Sequence, residues 1–117
     1  MWGKVLSRLK LDSQTQLASA YVEEKDFQDL QTTPEKIDEV IDELIVTAPE
    51  AKVILITYQY KEKIHAILYS DARQTASDLA ASHNPSGSKR LALFHLQGTD
   101  LQQVSQNLVE EIKGKLK

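Results

Sequence analysis

The sequence predicts an α+β fold, a mixed β-sheet of about four to five strands with helices packed on it. Three observations lead there. Runs of strand character at Thr15–Val22, Val53–Tyr60, Ile64–Tyr69 and Lys89–Leu96 are separated by segments with the 3.6-residue apolar period of a helix. Two of these strands follow each other across Lys61-Glu62-Lys63, so strands and helices do not alternate strictly as in a doubly wound sheet. The 117 residues, 41% hydrophobic and 26% charged, suit one domain with its own core, spanning 1–117.

The elements follow in order. Trp2, Val5, Leu6 and Leu9 stand at helical spacing, so 1–14 reads as a helical or linker segment before the domain proper at 15–117. Leu11–Gln14 is a polar break, and Thr15–Val22 is the first strand. Glu23–Thr33 is a polar connection pinned by Phe27 and Leu30. Thr33 as N-cap and Pro34 in the first turn open a helix whose apolar stripe is Ile37, Val40, Ile41, Leu44 and Ile45, ending at Ala48-Pro49.

Val53–Tyr60 is a continuous apolar and aromatic run, the mark of a strand buried on both faces, and Ile64–Tyr69 pairs with it as a hairpin. Asp71 caps a helix through Ser82 with Ala72, Ala76, Leu79 and Ala80 inward. His83–Ser88 is a loop, Lys89–Leu96 the last strand, and Gly98-Thr99-Asp100 turns into a final helix with Leu101, Val104, Leu108, Ile112 and Leu116 on one face. Lys113, Lys115 and Lys117 complement its C-terminal dipole.

Composition excludes several classes of function. With no cysteine there is no disulfide, no thiolate metal site and no thiol nucleophile. A net charge of -3 does not suit nonspecific binding along nucleic-acid phosphates. No run approaches the roughly 18 apolar residues that span a bilayer, and no signal-peptide core is present, so the expectation is a cytoplasmic protein with no membrane partner.

The chemistry-bearing residues are sparse. The three histidines, His65, His83 and His95, form no metal-binding motif, and His65 and His95 read as strand residues of the sheet surface. Asp38, Glu39, Asp42 and Glu43 read as a solvated helix face. No nucleophile elbow or Walker loop occurs. The exception is Ser82–Arg90, SHNPSGSKR, which joins hydroxyls, a glycine, a histidine and two adjacent cations between a helix and a strand. Such a loop can take an anion: Gly87 lets the backbone approach, and Arg90 offers a forked donor. It also reads as an ordinary exposed turn followed by two cations.

From Leu17 onward the order LASAYV, IDEVIDELI, VILITYQY, IHAILYS, SDLA, a loop, LALFHL and LQQVSQNLVEEI resembles the C-terminal, DHH-associated domain of DHH-family phosphoesterases. That group includes oligoribonucleases, cyclic-dinucleotide phosphodiesterases and RecJ-like exonucleases. The family's Gly-Gly-Gly-His signature is replaced here by His83-Asn84-Pro85-Ser86-Gly87-Ser88, and its Arg-Ser at the preceding strand end by Tyr69-Ser70, with Arg73 nearby.

The resemblance implies a domain that binds a nucleotide or short oligonucleotide. It implies His83, Asn84, Ser86, Gly87, Ser88, Lys89 and Arg90 as substrate- or phosphate-binding residues, with Tyr69, Ser70 and Arg73 on the adjoining edge. Lys89 and Arg90 would neutralise phosphate, and His83 would stack on a base or donate to an oxygen. It further implies no catalytic residue and no cofactor in this chain. Mn²⁺ or Mg²⁺ and the Asp-His-His motif would belong to a separate N-terminal catalytic domain, a partner in cis or trans, with Met1 falling near the end of the interdomain segment. The isolated chain is then not expected to be an enzyme. The alternative is a protein-interaction module in which Trp2, Val5 and Leu6 form a docking or homodimer surface.

Overall fold

In the computed structural model, which describes residues 5, 7–29, 31, 33 and 36–116, the chain begins its sheet with a hairpin that the sequence reading missed. Strand β1 (Lys10–Asp12) pairs antiparallel with β2 (Leu17–Val22). The Asp12 carboxylate accepts the Thr15 N–H at 3.0 Å, the Asp12 carbonyl accepts the Gln16 N–H at 2.7 Å, and Gln16 has a left-handed φ of 59°. This side-chain-closed turn holds Thr15 out of the strand, so β2 starts two residues later than expected. Of the expected N-terminal helix, Val5, Ser7 and Arg8 are helical and Val5 is buried, while Trp2 and Leu6 lie outside the described residues.

A short helix α1 (Glu24–Asp29) replaces the expected polar connection. It is held by Asp26, which is fully buried, accepts the Glu23 N–H at 2.9 Å and pairs with Arg8. Helix α2 (Lys36–Thr47) buries Ile37, Val40, Ile41 and Leu44, but Ile45 is exposed, so the expected stripe is one residue narrower. Pro34 of the expected helix start lies outside the described residues.

Strands β3 (Val53–Tyr60) and β4 (Lys63–Ser70) form the expected hairpin. Its tip is the two-residue turn Lys61-Glu62, where both residues adopt positive φ, 52° and 66°. That is the handedness a tight hairpin requires, met here without Asn or Gly. The expected helix from Asp71 to Ser82 contracts to α3 (Ala76–Leu79), capped by Thr75 rather than Asp71, followed by a 3₁₀ turn at Ala81–His83. The residues before it wrap around Ser70, whose Oγ donates to the Gln74 carbonyl at 2.6 Å. Two-residue strand β5 (Ser86–Gly87) then pairs with β6 (Leu91–Leu96), and α4 (Leu101–Leu116) closes the fold.

The described strands make one six-stranded mixed sheet in the order β1-β2-β3-β4-β6-β5, with β2 and β3 parallel and the other pairs antiparallel. Alternation along each strand divides the core into two layers. On one face Ala18, Ala20, Ile54, Ile56 and Ile67 pack against Phe27 of α1 and the buried stripe of α2. On the other, Leu17, Val53, Leu55, Leu68, Ala92 and Phe94 pack against α3 and α4. β3 is therefore buried on both faces over its first half, as its apolar run requires.

Candidate functional site

The last two strands leave part of the sheet uncovered. β5 pairs only with Ala92 and Leu93, so the β6 edge at Phe94 and His95 faces the turn that enters β5. A cleft of about 490 Å³ opens there, lined by Tyr58, His65, Ala66, His83, Asn84, Ser86, Leu93, Phe94 and His95. Leu93 and His95 point to one face of β6 and Phe94 to the other, so the cleft wraps around the strand edge.

Register assembles its wall. The hairpin places Tyr58 opposite His65, and β4–β6 pairing places His65 opposite His95. The Tyr58 and His65 rings stack with centroids 4.9 Å apart and 14° between planes, and His95 meets His65 edge-on at 4.6 Å. Burial, followed by repulsion from His95 and Lys63, holds His65 below the ordinary imidazole range. His65 therefore favours the neutral form, a flat face suited to stacking.

The opposite wall comes from the loop. His83 stacks on Phe94 at 5.0 Å and 16°, and its Nε2 lies 2.9 Å from Oε2 of Glu111 on α4. Asn84 follows in a left-handed conformation, φ 52°, which asparagine tolerates better than most residues. Gly87 has φ +111°, and a Cβ there would lie 2.2 Å from the Leu91 carbonyl oxygen, so only glycine fits where β5 closes on β6.

Of the ten residues expected at the site, the structure brings His83, Asn84 and Ser86 together in this cleft. Ser88 is occupied within the turn: its N–H donates to the Leu91 carbonyl at 2.8 Å and its Oγ accepts the Leu91 N–H at 3.3 Å. Lys89 and Arg90 are exposed on the turn before β6. Arg90 sits 3.5 Å from Asp71 and lines a separate, smaller depression with Tyr69, Leu91 and residues of α2. Ser70 is buried, its hydroxyl spent on Gln74 and on the Ala72 N–H. Arg73 is exposed on the connection that follows. Three of the expected residues thus line the cleft, and Tyr69 and Arg90 line the separate depression.

The sequence reading assigned no site role to Tyr58, His65 or His95. A signal existed for one pair: a two-residue turn at Lys61-Glu62 sets Tyr58 against His65, whereas the longer Lys61–Lys63 turn hides that register. The His65–His95 pairing crosses the twenty-residue connection from β4 to β6 and left no such signal.

Among the described residues no three histidine, aspartate or glutamate side chains are arranged to hold a metal ion, and no helix is long and apolar enough to cross a membrane.

No family model and no curated protein matches this sequence. Solved structures do match its fold. An exopolyphosphatase-related protein from Bacteroides fragilis superposes over 98% of this chain with a TM-score of 0.79 at 18% identity. A pGpG-specific phosphodiesterase, PggH, from Vibrio cholerae superposes over 97% with a TM-score of 0.62 at 13% identity. An uncharacterized protein from Helicobacter pylori G27 follows at 94%, 0.56 and 7%. This chain covers 34%, 37% and 29% of those three chains, so it has the fold of about a third of each.

Proposed function

We propose that this chain is the substrate-binding or accessory domain of a DHH-family phosphoesterase acting on nucleotides or short nucleic acids, and that it is not catalytic alone. The observation that carries this reading is the open cleft at the β6 edge, in a fold shared with part of a pGpG-specific phosphodiesterase. Stacked rings are a sequence-tolerant platform for a base, worth roughly 1–3 kcal/mol per stacked base. Asn84 adds amide donors and an acceptor, and Ser86 a hydroxyl. Lys89 and Arg90, exposed on the turn before β6 and outside the cleft lining, would supply positive charge to a phosphate extending along β6.

In this reading the phosphoester-cleaving metal site belongs to a separate catalytic domain in cis or trans. The described residues of this chain offer no fitting ligand set, and no metal-dependent step is assigned to them.

Calorimetric titration with a mononucleotide and a short oligonucleotide tests the proposal. Asn84→Gly keeps the left-handed backbone and removes the amide, and is expected to weaken binding about three- to tenfold. Lys89→Ala combined with Arg90→Ala is expected to weaken binding and flatten its salt dependence. Absence of binding to either ligand, or affinity indifferent to all of these changes, would refute the reading.

A further inference from the structure

Glu111 lies on α4, outside every segment that the sequence reading connected with binding, yet it controls the best-placed ring of the loop. Its Oε2 is 2.9 Å from His83 Nε2 and also accepts from Ser82 Oγ at 3.4 Å and Lys115 Nζ at 3.5 Å. Lys115 is itself anchored on the Leu79 carbonyl at 2.8 Å, which ties α4 to the end of α3. Phe94 covers one face of the His83 ring. The imidazole is therefore fixed in plane by stacking and in rotation by one charge-assisted hydrogen bond.

A neutral imidazole carries one proton, and the partner of one nitrogen decides which nitrogen holds it. A carboxylate can only accept, so Glu111 requires the proton on Nε2. We infer that Glu111 is a positioning residue that locks His83 in its Nε2–H form, leaving Nδ1 as the acceptor available to a ligand. The cleft then favours a ligand that presents an N–H or O–H to His83, such as a base amino group or a sugar hydroxyl, over one that presents a phosphate oxygen. Protonation of the ring would turn Nδ1 into a donor and reverse that preference. The groups facing this pair are Ser82 and Lys115, with His95 lining the adjoining depression.

Burial acts to raise the Glu111 pKa, but the hydrogen bond and charge of His83, with Lys115, outweigh it and hold the carboxyl below its ordinary value. Glu111 is accordingly held in its ionised form, which can only accept.

The ligand half of this inference rests on the functional reading above, whereas the tautomer half does not. Imidazole ¹⁵N spectra of the 117-residue chain, recorded with rising pH until they no longer change, give the tautomer directly. The parent chain is expected to show the Nε2–H form for His83, Glu111→Ala a mixture, and Glu111→Gln, whose amide oxygen can still accept, the parent form. Affinity for a mononucleotide should fall about three- to tenfold in Glu111→Ala and recover in Glu111→Gln. A His83 tautomer unchanged in Glu111→Ala overturns the inference, as does nucleotide binding that Glu111→Ala leaves intact. If the parent chain binds no nucleotide, the functional reading fails and the spectra alone decide the role of Glu111.

Discussion

His65 shows how one residue's environment becomes a measurable property. Its imidazole is pushed down by burial first, then by His95 across the strand pair and by Lys63. A histidine whose folded pKa lies below its unfolded value of about 6.5 is favoured neutral by the fold. Its contribution to stability is therefore complete above that value and is lost as pH falls toward and through the folded pKa. His95→Gln should move the His65 titration upward, read by NMR, but only part of the way, because burial is the larger cause and remains. His65→Gln should flatten the decline of the urea midpoint across the same acidic window. A His65 titration that stays in place when His95 is replaced would show that the two rings are not coupled.

At the scale of elements, the hairpin tip and β5 show local rules bent by their surroundings. Lys61 and Glu62 both hold φ near +60° without being glycine or asparagine, at a cost of roughly 1–2 kcal/mol each. The eight-residue ladder between β3 and β4 holds that conformation in place. Lys61→Asn with Glu62→Gly should relieve it and raise stability by about 1 kcal/mol in chemical unfolding, with the His65 and His95 resonances unmoved. A lower midpoint would mean that Lys61 and Glu62 make contacts worth more than the strain. β5 is the opposite case: two residues long, it exists because Gly87 lets the chain close on β6, and its brevity leaves the β6 edge open as a cleft.

Across the whole molecule, two apolar layers sandwich the sheet between α1 and α2 on one face and α3 and α4 on the other. On the α1–α2 face that cover leaves Leu93 and His95 of β6 exposed, and the cleft lies there. The three solved structures described above that share its fold are each about three times its length. The isolated chain is expected to hydrolyse no nucleoside phosphodiester even with added Mn²⁺. Turnover that persists through repurification and tracks the protein peak would contradict the proposed accessory role.

What the sequence by itself determined was the α+β class, the β3–β4 hairpin and the buried faces of α2 and α4. These are set by apolar periodicity and turn composition, which act within about one element's length. Tertiary structure alone decided the rest. β1 and β5 are too short to carry a period, and α1 depends on a partly buried Asp26–Arg8 pair formed across eighteen residues. The division of His83, Asn84 and Ser86 from Arg90 and Tyr69 follows from β6 pairing between β4 and β5. The union of Tyr58, His65 and His95 in one wall, and the grip of Glu111 on His83, arise from strand register and helix docking. Those depend on which surfaces exclude water together, and that is a property of the assembled fold rather than of any one segment.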